Sequence, residues 1–416
     1  MSGIVLSAAV RQNLLSLQDT AALLSTTQNR LASGKKVNTA LDNPTNFFTA
    51  QGLDNRASDI NNLLDAIGNG VQVLQAANTG LTSLQKLVDT AKSIASQVLQ
   101  TTTGYTVKAS ATIAAPTGAA PLNVAGTAAD LTNGGTNSLN GESFTFTPAA
   151  GAATTVTISS TAGANNVNSI TGLNTWLSSA GLGLTASLNS NGSITLTSSN
   201  DNASQTLTTG TTAAANNIAI NASVVGTVSL VTPPGGTAGA PLADPNSQAT
   251  RASLVSQYNN IVAQITTTSQ DASFNGINLL FGDDLKLTFN ETGKSTLSIS
   301  GVTYDAAGLG LGPLTAGKDF LDNSSANAVI AKVSAASNQL RSEASSLGSN
   351  LSIVQIRQDF AKNLITVLQT GSSNLTLADS NEEAANSQAL STRQSIAVSA
   401  LALSNQSQQS VLQLLR

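Results

Sequence analysis

Apolar residues recur at alternating spacings of three and four near both ends of this chain. At the front the series is Val10, Leu14, Leu17, Ala21, Leu24 and Leu31, with polar Gln28 the only interruption. Towards the back it runs through Ile330, Val333, Leu340, Ala344, Leu347, Leu351, Val354, Ala361, Ile365 and Leu368, with Ser337 and Gln358 filling the two gaps in register. This spacing predicts helices with a narrow, coiled-coil-like seam. A seam of that width cannot bury itself, so each terminal segment needs a partner, and the other terminus is the obvious one.

The middle of the chain is different. From Ala109 to Thr250 there is no Lys or Arg, although the whole chain has 18. So abrupt a shift marks a domain boundary. Within it, Ser143 to Thr147 and Thr155 to Ile158 alternate with period two, as half-buried strands do. Val167, Ile170, Leu173, Trp176 and Leu177 predict one short amphipathic helix. Leu184 to Leu188 and Ser193 to Thr197 form a second alternating pair, joined through Asn189-Ser190-Asn191-Gly192, a hairpin signal. The insert therefore reads as hairpin, helix, hairpin, flanked by connectors rich in Ala, Thr, Gly and Pro.

Outside the insert, the first helix is expected from about Ser2 to Leu31, stopping at Ser33-Gly34. Lys35 to Asn46, with Asn38, Asp42, Asn43 and Pro44, reads as an ordered connector. A second helix carries Ile60, Leu63, Ile67, Val71, Leu74, Leu81, Leu84 and Val88 on one face and ends near Gln100. Helix resumes at about Arg251, turns at Ser273-Phe274-Asn275-Gly276, and is followed by a hairpin of Leu285 to Phe289 and Ser295 to Ser300. A last helix runs from about Ser325 to Arg416, with Gly371 as the expected break. The fold class is mainly α with inserted β: elongated α-helical coiled-coil or bundle rods formed by both termini, a β-hairpin, and an outer α+β insert domain. The corresponding divisions are 1–34 with 375–416, 35–105 with 251–374, and 106–250.

Composition narrows the chemistry. Aromatic residues make up only 3% of the 416, which favours slender packing of small side chains over large enclosed cores. The chain has no Cys, so thiolate metal sites and disulfides are out, and no His, which removes the commonest general base. No cofactor is expected. A net charge of −4 gives no support to nucleic-acid binding. No signal peptide or membrane span is recognisable, so export would need a route other than the general secretory one.

Several sharper readings lose to plainer ones. Ser33-Gly34-Lys35-Lys36 lacks the upstream Gly of a phosphate loop and reads as a helix stop before a solvated basic turn. Asp283, Asp284 and Asp305 read as turn residues rather than cation ligands. Trp176, with Leu173 and Ile170 at helical spacing, reads as a core anchor rather than a sugar platform. Gln28 and Gln358 either set register in their seams or are tolerated there.

Three runs resemble bacterial flagellins. Leu31-Ala32-Ser33-Gly34-Lys35-Lys36-Val37-Asn38-Thr39-Ala40-Leu41-Asp42-Asn43-Pro44 is similar to the family's "RLSSG…IN.A.DD" signature. Ser273-Phe274-Asn275-Gly276-Ile277-Asn278-Leu279-Leu280 resembles "T.FNG..LL", and Ser410 to Arg416 resembles the terminal "..VLSLLR". The resemblance covers roughly residues 1–105 and 251–416. It implies a structural subunit that polymerises into the flagellar filament for motility, exported unfolded through the flagellar type III channel without a cleaved signal peptide. It places terminal helices in the filament's inner core, folding only on assembly. Self-assembly residues would be Val10, Leu14, Leu17, Leu24, Leu31, Leu351, Val354, Ile365, Leu368, Ala397, Leu401, Val411 and Leu414. Asn38, Asp42 and Pro44 would form the connector, and Phe274, Asn275 and Gly276 the turn. Implied partners are further copies of the chain, an export chaperone, and cap and junction proteins, with no nucleic acid and no membrane. One departure from the family stands at Val88-Asp89-Thr90, where flagellins sensed by the animal innate receptor carry an "LQRV"-like Arg.

The alternatives are a hook–filament junction protein, which would share the terminal seams, and a surface adhesin using the insert to bind glycans. The Ser/Thr density of the insert also permits O-linked glycans. An enzyme in the insert is the weakest reading, since its carboxylates, Asp130, Glu142, Asp201 and Asp244, form no close pair in sequence.

Overall fold

The structure, a computed structural model, describes residues 8–113, 130–132, 139–148, 152–161, 163–189, 193–209, 217–223, 230–231 and 240–414. Its helices are α1 (Ala8–Ser33), α2 (Pro44–Gln100), α3 (Ile170–Ser179), α4 (Pro245–Asp271), α5 (Asn323–Thr376) and α6 (Ser380–Leu414). The expected start at Ser2 and the hairpin turn at 190–192 lie outside the described residues.

Three helix boundaries differ from the sequence expectation, each for a local reason. Pro44 is not connector but the first residue of α2. Proline's missing N–H and fixed φ suit a helix start, and the Asn43 side-chain oxygen accepts the Asn46 N–H at 3.0 Å. α4 likewise begins at Pro245 rather than Arg251, capped by Asp244, whose carboxylate accepts the Ser247 N–H at 3.2 Å. Gly371 does not break the last helix. It lies within an intact α5, where a Cβ would make ordinary contact with Leu53 Cδ1 at 3.4 Å. The break falls at Leu377 to Asp379, where the Asp379 carboxylate accepts the Asn381 N–H at 2.8 Å and so opens α6.

The chain divides into two compact units. One comprises 1–72, 285–299 and 349–416; the other comprises 73–284 and 300–348. In the first, α1 and α6 pack along one another. The first part of α2 meets the second part of α5 through a core of Ala57, Ile60, Ala361 and Leu368, flanked by Leu53, Leu64, Leu364 and Ile365. An antiparallel hairpin of Leu285–Thr288 and Thr296–Ile299 is held here by an Arg56–Glu291 ion pair at 2.9 Å and by Arg357 stacked over the Phe289 ring at 5.6 Å.

In the second unit, the inward faces of the three helical segments are buried. Val73, Leu74, Leu81, Leu84, Val88, Ala91, Ala95 and Val98 contribute from α2, Leu254, Tyr258 and Ile265 from α4, and Val333, Ala336 and Leu340 from α5. Ser337, one of the two gaps in the α5 seam, is buried and its hydroxyl oxygen accepts the Gln85 side-chain amide N–H of α2 at 2.7 Å, so it pairs rather than interrupts.

The insert belongs to this second unit and contains the expected elements. Ser143–Pro148 pairs antiparallel with Thr154–Ile158, and Leu184–Leu188 with Ile194–Ser198, with α3 packed on the second pair. Two further pairings tie these hairpins into sheets. Ser143–Pro148 also pairs with Asn217–Ser223, and Ile194–Ser198 with Ser110–Ile113. The result is one five-stranded and one four-stranded sheet around a common core that includes Phe144, Phe146, Ile158, Leu173, Leu177 and Leu196. Trp176 packs at its edge, 5.8 Å from the Phe146 ring, with its indole N–H donated to Asn165 Oδ1 at 3.2 Å. That is the anchoring role its spacing predicted.

Candidate assembly surface

The α1–α6 pair shows how the terminal seams are used. On α1 the sheltered positions include Val10, Leu17, Thr20, Ala21, Leu24 and Thr27, with Val10, Thr20 and Thr27 buried. The Thr20 hydroxyl is satisfied by donating to the Ser16 carbonyl at 2.8 Å, which lets a polar residue occupy a seam position. The sheltered line shares Val10, Leu17, Ala21 and Leu24 with the apolar series, while Leu14 and Leu31 stand 38% and 42% exposed on its flank. Gln28 is exposed as well. On α6 the partly sheltered face includes Leu390, Ala397 and Leu401. Val411 and Leu414 fall on α6 by backbone, and their side chains lie outside the described residues. At one end Arg30 reaches Glu383 at 3.4 Å.

The back seam has a different partner from the one expected. Val354 and Leu368 are buried and Leu351 and Ile365 are half-buried, but Leu368 and Ile365 pack with Ile60 and its neighbours on α2 rather than with the opposite terminus. Gln358 is half-buried, its amide 3.9 Å from where a Cβ on Gly68 would be.

A second apolar series on α5 went unread. Ile353, Ile356, Phe360 and Val367 follow the same alternation of three and four, with Asn363 at the missing position, and all four are exposed. The same periodicity test, applied one position over, would have found them. Leu15 and Leu23 on α1, Phe48 on α2, and Ile396, Val398 and Leu403 on α6 are also exposed, so four helices of the first unit carry exposed apolar side chains. The exposed α5 series is a candidate interaction surface.

The connector is a closed turn built on one carboxylate. Asp42 accepts the backbone N–H groups of Asn38 and Thr39 at 2.9 and 2.8 Å and the Thr39 hydroxyl at 3.2 Å. Those donors, Thr39 first, hold the Asp42 carboxyl below its ordinary pKa. Gly34 ends α1 with φ 66°, and the Lys36 N–H reaches the Thr376 carbonyl at 2.8 Å. A cleft of about 250 Å³ beside it is lined by Arg30, Lys35, Lys36 and Asp42. The Phe274–Ile277 turn exchanges both backbone hydrogen bonds, at 3.0 and 3.1 Å, across Asn275 and Gly276 at φ 51° and 79°. Both central residues are left-handed, as a type I′ turn requires.

Asp283, Asp284 and Asp305 accept the N–H groups of Asn278, Gly301 and Gly308, so each is occupied as a turn residue. Among the described residues, no cluster of three or more His, Cys, Asp or Glu could hold a metal ion, and no helix is long and apolar enough to cross a membrane.

Comparison with known proteins agrees with the helical ends. Residues 5–128 match the bacterial flagellin N-terminal helical region, and residues 330–415 match the bacterial flagellin C-terminal helical region. Flagellin FljM of Caulobacter vibrioides is 33% identical over 165 residues, and flagellin FljK of the same organism 32% over 165, each alignment covering 39% of this chain. The chain spans 59% of the length of both relatives. Flagellin A of Rhizobium meliloti is 39% identical over 90 residues, 22% of this chain and 23% of that protein. The two helical ends and the signature runs between them carry one conclusion: the chain belongs to the bacterial flagellin family.

Proposed function

We propose that this chain is a structural subunit that polymerises with copies of itself into the extracellular flagellar filament. The observation that supports the reading is the exposed α5 series of Ile353, Ile356, Phe360 and Val367, with further exposed apolar side chains on α1, α2 and α6. Burying apolar surface yields about 25 cal/mol per Å², so large exposed side chains in register supply a driving force for association. Helices whose stripes are incomplete alone gain order as neighbours cover them, so folding and assembly are coupled.

In this reading residues 1–34 and 375–416 form the inner layer, 35–105 and 251–374 the helical rod, and 106–250 the outward insert. The seam residues, the connector of Asn38 and Asp42 that leads into Pro44 at the start of α2, and the turn of Phe274 to Gly276 set the geometry of the subunit in the polymer. Export through the flagellar route, with chaperone, cap and junction partners, belongs to the same proposal.

Short sonicated seeds added to the purified full chain, imaged by negative-stain microscopy, test it. The intact chain should elongate into filaments, and a chain lacking 1–33 or 375–416 should not. Filaments from the truncated chains would overturn the role given to the terminal helices, and none from the intact chain under any condition would overturn the function.

A further inference from the structure

We infer that a polar latch between the insert and the first turn of α5 fixes the insert's orientation, so that the insert is locked in place rather than free to pivot on its two connections. A domain joined to its neighbour only by extended chain is expected to move relative to it. Here the loop after Ile194–Ser198 makes contacts that the chain connections do not require.

The latch is built on the helix start. Asp322 caps α5 reciprocally with Ser325: its Oδ1 accepts the Ser325 N–H at 2.9 Å, and the Ser325 hydroxyl oxygen accepts the Asp322 N–H at 3.2 Å. The other carboxylate oxygen, Oδ2, is left for the insert and accepts the Ser204 hydroxyl at 2.5 Å and the Ser204 N–H at 3.3 Å. Alongside, the Asn323 amide donates to Asp201 Oδ1 at 3.1 Å, and the Ser324 N–H donates to the Asp201 carbonyl at 2.8 Å. The Ser324 N–H is one of the donors that a helix start leaves without an intrahelical acceptor. The insert supplies that acceptor, so detaching it would also cost α5 a hydrogen bond.

The receiving side is held rigid from beneath. Phe320 is buried with φ 57°, a conformation that a bulky residue adopts only when its surroundings impose it. Its carbonyl accepts Arg251 Nη1 at 3.0 Å, and its ring meets Tyr258 edge-on at 6.1 Å. Arg251, itself buried, also donates to the Thr102 carbonyl at 3.2 Å, just past the end of α2. The residues that grip the insert thus start from a loop tied to both α2 and α4.

Because the chain has no Cys, two introduced thiols can be spin-labelled without background. Thr175→Cys on α3 and Ser256→Cys on α4 are both exposed. Pulsed electron-spin distance measurement on the full chain should give one narrow distance. Asp201→Ala with Ser204→Ala should broaden it and accelerate exchange of the Ser324 amide about fivefold, while fluorescence of the sole tryptophan, Trp176 inside the insert, stays unchanged. Adding Asp322→Ser, which keeps a capping hydroxyl but shortens the reach, should broaden it further. A broad distribution in the parent, an equally narrow one in the variants, or a shift in Trp176 emission that marks unfolding of the insert itself would each overturn the latch.

Discussion

A methyl group placed on Gly70 of α2 would fall inside van der Waals distance of the Leu287 side chain of the hairpin. Leu287 is buried, so the glycine is the space into which the hairpin docks. Gly70→Ala gains helix propensity of about 1 kcal/mol but forces Leu287 off its position, at about 1–3 kcal/mol. The expected net effect is a loss of about 1 kcal/mol, concentrated in the hairpin. Gly52 and Gly348 have nothing within 4 Å, so Ala at either should stabilise the chain by about 0.5–1 kcal/mol. Urea denaturation of the three variants checks the contrast, and a stabilised Gly70→Ala would show that the hairpin does not depend on this gap.

Arg251 offers a test with a larger expected cost. Replacing it with Met leaves the Phe320 carbonyl buried without its donor, removes the bond to the Thr102 carbonyl, and releases the strained loop at Phe320. A loss of about 3 kcal/mol is expected. Arg251→Lys should recover less than half, because one ammonium cannot reproduce the spread of the guanidinium fork. Burial already disfavours the charged form and pulls the Arg251 pKa down, an effect that nearby Asp322 offsets. Equal stability of the Met variant and the parent would remove Arg251 from this account.

How much of this was legible in the sequence depends on the range of the interaction. The hairpin of Leu285 to Ile299 and the Asn275-Gly276 turn follow from residues within a few positions of each other, and alternation and turn chemistry read them directly. The pairing of Ser143–Pro148 with Asn217–Ser223 joins segments more than sixty residues apart across Gly- and Ala-rich chain, and no local pattern announces it. The helix starts at Pro44 and Pro245 carry a local signal: Asn43-Pro44 and Asp244-Pro245 have the cap followed by a first-turn proline that helices prefer. On α1, the seam positions Thr20 and Thr27 look polar in sequence, but the Thr20 hydroxyl donates to its own helix and the residue behaves as filler in the seam.

The turn itself can be tested. Asn275 tolerates φ 51° better than most residues, and Gly276 at φ 79° has no Cβ to object. Gly276→Ala should cost about 1–2 kcal/mol, and Asn275→Ala about 1 kcal/mol, whereas Asn275→Gly should be close to neutral. Thermal unfolding followed by circular dichroism would rank them. If all three matched the parent, the turn would have no hold on the fold.

The tyrosines predict a pH limit. Burial raises the pKa of Tyr105, and it raises Tyr258 and Tyr304 to about 12, with Asp319 and Glu343 respectively opposing a second negative charge. The Tyr304 hydroxyl donates to Glu343 at 3.0 Å, which favours its neutral form. An acid whose folded pKa lies above its unfolded value of 10 stabilises the fold fully below pH 10. That stability is lost as pH rises from 10 through about 12, because only the unfolded chain releases the proton early. These are all three tyrosines of the chain, so the ultraviolet tyrosinate signal of the folded protein should be delayed as a whole relative to the urea-unfolded protein. A step near pH 10 in the folded protein would contradict the burial of the residue that gives it.

Exposed and buried members of the apolar stripes should separate assembly from folding. Ile356 and Phe360 on α5 are 66% and 60% exposed, and Ile396 on α6 is 63% exposed. Replacing each with Gln removes apolar area that faces no partner within the subunit, so stability should stay within about 0.5 kcal/mol of the parent. Filament growth from seeds should nevertheless slow or stop, since the same area is what a neighbouring copy would cover. Ile60→Ala on α2, in the core with Ala361 and Leu368, should do the reverse at the level of the subunit and cost about 2–5 kcal/mol. Measuring urea midpoints and seeded elongation on the same four proteins distinguishes the two roles. Surface variants that polymerise like the parent would show that the second α5 stripe is not an assembly contact, whatever the rest of the helix does.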